Sequence, residues 1–210
     1  QQYGMVTLHR PSNVDDPEKL GTLFNLLSAI SKKIPLVFPI HPRTRKSAEQ
    51  IGILPQLDQS KELILRDPLN YVRFMNLVFN CRFALTDSGG IQEETTALGV
   101  PCITLRENTE RPVTVSAGTN SVVGTDPQRI RAEFDSVLTT GGKAGRIPEL
   151  WDGRAAARIV DKGQLPPAIL TKWVPKPGPM TPDVVRAHAR RGVPATSTTP
   201  LSRHHRPTSV

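Results

Sequence analysis

Six short apolar runs, each followed by a polar turn and most by a helical pattern, leave this chain few folds to choose from. The runs are YGMVTLH, PLVFPIH, LILRDPL, RFALTDS, PCITLR and SVVGTD, all between Tyr3 and Asp126. The intervening segments are helical in pattern: DPEKLGTLFNLLSAISKK places Leu20, Phe24, Leu27 and Ile30 on one face, and RTRKSAEQIGIL, NYVRFMNLVFN, GGIQEETTALG and DPQRIRAEFDSVLTT follow in turn. Strands that alternate with helices pair in parallel, joined by crossovers. Runs that are continuously apolar, rather than alternating, belong to strands covered on both faces. The pattern predicts an α/β fold with a doubly wound, Rossmann-like parallel sheet over residues 1–162. In such a sheet, ligands bind beyond the carboxyl ends of the strands.

The remaining segment, 163–210, reads differently. It holds nine of the 20 prolines and Ser/Thr-rich pieces such as PATSTTP. Seven basic residues there face one acidic residue, Asp183, so the tail carries six of the chain's eight net positive charges. The basicity therefore belongs to the tail and not to a folded face, which argues against nucleic acid as a partner of the body. A segment so poor in periodic apolar residues cannot offset its ordering entropy, so the expectation is a mostly disordered basic tail with a short helix near 181–191. No run approaches the roughly 18 apolar residues that span a bilayer, and no signal-like segment opens the sequence. The reading is a cytoplasmic chain without membrane association, in which Cys81 and Cys102 are buried thiols.

The chemistry lies at the ends of the strands. Ser88, Gly89 and Gly90 follow the fourth strand and open a helix. Unpaired amides at a helix start carry partial positive charge, and glycines let a phosphate approach them. Glu94, one turn later, is placed to accept hydrogen bonds from a ribose diol. By themselves these residues fit equally a plain N-cap and tight turn. RENTERP follows the fifth strand and offers Arg111 as a bidentate phosphate partner. TLHRPSN follows the first strand and brings His9 and Arg10 to the same edge, and PIHPRTRK adds His41 after the second. Basic groups at four strand ends call for an anionic ligand. No metal-ligand spacing, dinucleotide fingerprint or Walker motif is present, and no cofactor is expected.

TLHRPSNVDD and LTDSGGIQEETTALGVPCITLRENTERPVTVSAGTNSVVGTD closely resemble the non-hydrolysing UDP-N-acetylglucosamine 2-epimerases, over roughly residues 3–162. That resemblance implies one half, the carboxyl-terminal half, of a glycosyltransferase-B-type enzyme whose active site lies in the cleft between two Rossmann-like domains. It implies that His9 is the active-site histidine, that Phe74 sits beside the uracil, and that Ser88, Gly89 and Gly90 hold the diphosphate, with Arg10 also on the substrate. It further implies Glu94 on the ribose and Arg111 near the phosphates. Leu69 falls where some members place a polar uracil contact. His41 resembles a position that serves a regulatory second UDP-N-acetylglucosamine in some bacterial members.

The family reaction inverts carbon 2 by eliminating UDP to a glycal and re-adding it. Ser88, the loop amides, Arg111 and His9 would stabilise the charge that develops on UDP. The family's proton-transferring carboxylates reside on the amino-terminal domain, which has no counterpart in this sequence, and the spacing of Glu93, Glu107 and Glu110 does not make them substitutes. The chain is thus expected to be a nucleotide-binding half, inactive alone. Its expected partners are UDP-N-acetylglucosamine or UDP, a separate chain supplying the other half, and a second copy in a homodimer. Two other classes fit less of the sequence: the nucleotide-binding domain of a UDP-sugar glycosyltransferase, and a non-catalytic module whose basic tail binds nucleic acid.

Overall fold

A computed structural model describes residues 2–161; the tail 163–210 and its expected helix at 181–191 lie outside the described residues. The strands are β1 (Gly4–Thr7), β2 (Leu36–Pro39), β3 (Leu63–Arg66), β4 (Phe83–Thr86), β5 (Cys102–Thr104) and β6 (Asn120–Val122). They form one sheet in the order β3-β2-β1-β4-β5-β6, with every neighbouring pair parallel. The helices are α1 (Pro11–Val14), α2 (Pro17–Ser31), α3 (Pro42–Gln50), α4 (Leu54–Asp58), α5 (Tyr71–Asn80), α6 (Gly89–Leu98), α7 (Pro112–Ser116), α8 (Pro127–Thr140) and α9 (Ala155–Asp161). Strand order reverses between β1 and β4, whose register pairs Gly4 with Phe83 and Thr7 with Thr86. That reversal opens a crevice at the carboxyl ends of these two central strands.

Continuous apolar runs became buried strands, as the sequence predicts: all four residues of β4 are buried. Local signals account for most helix ends. Asp16 caps α2 by accepting from the amides of Glu18 and Lys19, with Pro17 at the first helical position. Asn70 caps α5 through the amide of Arg73, and Asp126 caps α8 through that of Gln128. Gly99 and Gly141 end α6 and α8 in the left-handed conformation.

Three details differ from the sequence pattern. RTRKSAEQIGIL is two helices, because Gly52 adopts a φ of +72° and breaks the run between α3 and α4. RENTERP is not wholly a loop, since Pro112 starts the short α7 with Arg111 at its N-cap. The sixth strand begins earlier, at Asn120, where its side chain joins a buried polar network.

Two apolar clusters cover the two faces. The larger packs Leu20, Phe24 and Leu27 of α2, Leu57 of α4, and Ile130 and Phe134 of α8 against Val6, Phe38, Phe83 and Leu85 of the sheet. The smaller joins Met75 and Val78 of α5 and Ile91 of α6 to Met5 and Ala84. Both cysteines are buried and free. Among the described residues no helix is long and apolar enough to cross a membrane.

Candidate functional site

The site begins at the last residues of β1 and β4. Thr7 and Thr86 join their hydroxyls at 2.6 Å, and the amide of Ser88 donates to Thr86 Oγ1 at 2.9 Å. Between Thr86 and Ser88 stands Asp87, fully buried. Its carboxylate is the hub of the crevice. It accepts from the amide of His9 at 3.0 Å, the amide of Arg10 at 2.8 Å and Nδ2 of Asn13 at 3.2 Å. His9 Nδ1 lies 2.9 Å from Asp87 Oδ1. Burial alone would push the Asp87 carboxyl up, but the hydrogen bonds from the His9 ring and from the Arg10 and His9 amides together hold it below its ordinary range. Asn13, also buried, donates a second bond to the carbonyl of Leu105 after β5, so the ends of β1, β4 and β5 are tied at one point.

His9 keeps 37% of its side chain exposed. Its ring lies 5.7 Å from that of His41, centroid to centroid. His41 caps α3 by accepting the amide of Arg43 at Nδ1. Thus the two histidines at adjacent strand ends do come together. Arg10, whose backbone is fixed by Asp87, carries a buried Nε with no hydrogen-bond partner among the described residues.

Ser88 opens α6 in an extended conformation, and its side chain makes no capping bond. Its hydroxyl therefore remains uncommitted to the helix, unlike the capping groups of Asp16, Asn70 and Asp126. Gly89 and Gly90 have ordinary negative φ values. A Cβ built on Gly89 would meet nothing within 4 Å, and one on Gly90 only the Ser88 hydroxyl at 3.9 Å. Neither backbone conformation nor packing requires glycine at these two places. What they gain from glycine is a bare backbone at the start of a helix.

Further along α6, Glu93 and Arg111 form an ion pair with Nε and Oε1 2.7 Å apart. This places Arg111 over the first turns of α6. The loop that carries it is anchored from below: Thr109 donates to Gln92 Oε1 at 2.5 Å and accepts the amide of Arg111 at 3.0 Å. Asn120 donates to the same Gln92 oxygen at 3.1 Å and to Thr114 at 3.0 Å. Arg106 grips both oxygens of Glu110 at 2.7 Å, which lowers the Glu110 carboxyl to about 2. Glu107 receives the amide of Thr125. All three local carboxylates are thus engaged in holding loops.

Glu94 is half-buried, and burial raises its carboxyl above the ordinary range, opposed by a hydrogen bond from the Tyr71 hydroxyl. Tyr71 opens α5 and leaves 57% of its surface exposed. Phe74, one turn on, packs half-buried against the cluster that contains Ile91. So Phe74, Tyr71 and Glu94 occupy the junction of α5 and α6.

Asp87 and Tyr71 are the two members of this constellation that sequence reasoning missed. An aspartate between a strand and a helix reads as a turn residue. Its role depends on His9, 78 residues away and just beyond the end of β1. Among the described residues, no group of three or more His, Cys, Asp or Glu side chains is arranged to hold a metal.

A protein-family profile described as UDP-N-acetylglucosamine 2-epimerase matches residues 1–162. The UDP-N-acetylglucosamine 2-epimerase of Methanocaldococcus jannaschii is 42% identical over 162 residues, which is 75% of this chain and 43% of that protein. The solved structure of a M. jannaschii epimerase in complex with UDP-GlcNAc and UDP superposes with a TM-score of 0.68 at 36% identity, over 77% of this chain and 46% of that one. UDP-2,3-diacetamido-2,3-dideoxy-D-glucuronate 2-epimerase of Pseudomonas aeruginosa is 35% identical over 162 residues, again 75% of this chain and 43% of that protein. The chain spans less than half the length of these relatives.

Proposed function

The chain belongs to the UDP-N-acetylglucosamine 2-epimerase family, and on that premise we propose that it is the nucleotide-holding half of a UDP-sugar 2-epimerase. The carrying observation is the crest of α6. Ser88, free of capping duty, and two glycines that neither conformation nor packing requires present bare amides and a hydroxyl at the strand-order reversal. Such a helix start receives a diphosphate. In this reading Arg111 and Arg10 add charge to the phosphates, Glu94 takes the ribose hydroxyls, and Phe74 lies beside the base. His9 faces the bond between the sugar and the diphosphate. It would donate from Nε2 to the oxygen that leaves carbon 1. His41, beside His9, is the residue from which a second nucleotide-sugar would be sensed.

Inversion at carbon 2 also needs a base and an acid. Glu93, Glu107 and Glu110 are each held in loop contacts. We assign proton transfer to carboxylates of a facing domain, on this chain's own continuation or on a partner chain, and the cleft to the space between the two halves. A second copy forming a homodimer is compatible with this arrangement. Residues 1–162 are the nucleotide domain and 163–210 a separate segment. Buried free thiols and a nucleotide-sugar ligand suit a reducing, cytoplasmic setting.

The P. aeruginosa relative favours a second reading of the sugar alone. Its name specifies a different UDP-sugar, and the residues placed here touch the nucleotide and the leaving oxygen rather than the sugar substituents. The test has two arms. Calorimetry should show UDP binding that Ser88→Ala weakens, with uridine much weaker than UDP. Incubation with UDP-N-acetylglucosamine in heavy water should leave carbon 2 unlabelled for this chain alone. No preference for UDP over uridine would refute the nucleotide assignment. Deuterium uptake at a catalytic rate would refute the half-enzyme assignment.

A further inference from the structure

We infer that Asp87 is a positioning residue for His9: it fixes the neutral ring as the Nδ1–H tautomer and leaves Nε2, the nitrogen turned away from Asp87, as the atom that takes up or gives a proton. This rests on the proposed role of His9, but its geometry stands apart from any ligand. A carboxylate that only terminated a strand could be met by one or two amides. Asp87 is fully buried, takes the amides of both His9 and Arg10, and takes Nδ2 of Asn13. These bonds fix the backbone on either side of the His9 side chain, so the ring is held at its root as well as at Nδ1, 2.9 Å from Oδ1. An ionised carboxylate can only accept, so Nδ1 must carry the hydrogen. The neutral ring then has its lone pair at Nε2, and protonation places the second hydrogen there.

Other charged groups lie around the pair. Arg106 is close enough for its charge to interact with that of Asp87, and is itself clamped by Glu110. Arg10 follows His9 directly, and its charge reaches Glu110. His41 lies 5.7 Å from His9 by ring centroid. Asp87 is the one carboxylate in contact with the His9 ring among the described residues.

The consequence is a division of labour between the two residues. His9 meets the leaving oxygen, and Asp87 sets which nitrogen does so. Asp87 would touch neither nucleotide nor sugar.

Long-range nitrogen–proton NMR on the full chain tests this without activity. His9→Asn identifies the His9 signals among the five histidines. In the wild-type protein the neutral ring should show a protonated Nδ1 and an unprotonated Nε2; the opposite tautomer would overturn the proposal, whatever any variant does. Asp87→Ala removes the acceptor at Nδ1, and in the folded variant the neutral ring should lose its preference for the Nδ1–H form. An unchanged preference in a folded variant would also overturn the proposal. Absence of UDP binding in the wild type would sink the nucleotide reading and leave the tautomer results to decide the Asp87 assignment by themselves.

Discussion

On one face of the sheet, 25 buried residues from α1, α2, α3, α4, α8, the strands and adjoining loops form a single apolar cluster; on the other, seven residues from α5, α6, β1, β4 and adjoining loops form a second. The thick face contains all four of the largest fully buried aromatics, Phe24, Phe38, Phe83 and Phe134. The thin face leaves Tyr71 and Val72 more than half exposed and carries the starts of the two helices that bear Ser88, Glu93, Glu94, Tyr71 and Phe74. The difference teaches where each kind of energy is kept. Burial scales with apolar area removed from water, at about 25 cal/mol per Å², so the thick face must dominate stability. The thin face is held by a small cluster, by caps and by polar pairs, and its polar groups are therefore available to a ligand. Asp87 and His9 stand on the crest between them.

The largest expected effect comes from breaking the thick face. Phe134 lies edge-on to Phe83 with ring centroids 5.5 Å apart, and is 1% exposed. Phe134→Ala should cost about 3–5 kcal/mol, as transfer and cavity terms add. Urea unfolding would measure it. The folded fraction should bind UDP with unchanged affinity, because α8 does not contribute to the proposed site. A loss of affinity in fully folded Phe134→Ala protein would show that the two faces are not independent.

Much of this division was legible in the sequence, for a physical reason. A continuously apolar strand and a helix with apolar residues three and four apart declare their burial locally. Leu20, Phe24, Leu27 and Ile30 are all buried, as their spacing predicts. SGG at a strand–helix junction and the epimerase-like motifs marked the crest. The unread parts depend on long-range or very short structure. α7 has only five residues, and its VTVS run is β-prone by composition. The pairing of Arg111 with Glu93, of Tyr71 with Glu94, and of Asp87 with His9 each joins residues from different loops or helices, which no local pattern encodes.

The second effect concerns the crest and has a sign that distinguishes it from the thin face. The Asp87 carboxyl is held low, so its hydrogen bonds contribute stability above the ordinary value near 3.8 and lose it as pH falls through the lowered value. Glu94 is raised by burial, so its charge costs stability at neutral pH, and that cost is relieved as pH falls through its raised value toward 4.5. Asp87→Asn should therefore destabilise by about 3 kcal/mol at pH 7 and converge with wild type in acid. Glu94→Gln should not destabilise at pH 7. Urea titrations at pH 7 and in acid would separate the two, and equal pH slopes for wild type and Asp87→Asn would remove Asp87 from the acid transition.

A third, smaller effect sharpens the thin face itself. Arg111 and Glu93 are both about two-fifths exposed, and pairs of that kind contribute at most about 1 kcal/mol to stability. Arg111→Ala should thus leave the fold nearly unchanged. A charge-assisted bond to phosphate is stronger, on the order of 1.5–3 kcal/mol. UDP affinity should fall by roughly tenfold or more while uridine affinity stays the same. Glu93→Gln should act in the opposite direction and strengthen UDP modestly, since it frees the guanidinium from its partner. Equal losses for UDP and uridine in Arg111→Ala would mean that the arginine shapes the loop and does not meet the phosphates.

The smallest effect isolates the ribose end. Glu94 sits between two demands: burial disfavours its charge, while a charged carboxylate is the better acceptor for a diol. The Tyr71 hydroxyl lies near this carboxylate, so a ribose hydroxyl would compete with or join it there. Glu94→Gln keeps the shape and removes the charge, and should weaken UDP by about 1 kcal/mol, close to a fivefold change. Tyr71→Phe removes the competing donor and leaves the ring in place. If Tyr71 only holds the carboxylate ready, the loss should be smaller than in Glu94→Gln, and the double variant should lose no more than Glu94→Gln alone. A 2′,3′-dideoxy analogue of UDP should bind wild type and Glu94→Gln alike, because it has no diol to present. If that analogue discriminates between the two proteins as strongly as UDP does, Glu94 acts through the packing of α5 on α6, and the thin face would owe its polar groups to structure after all.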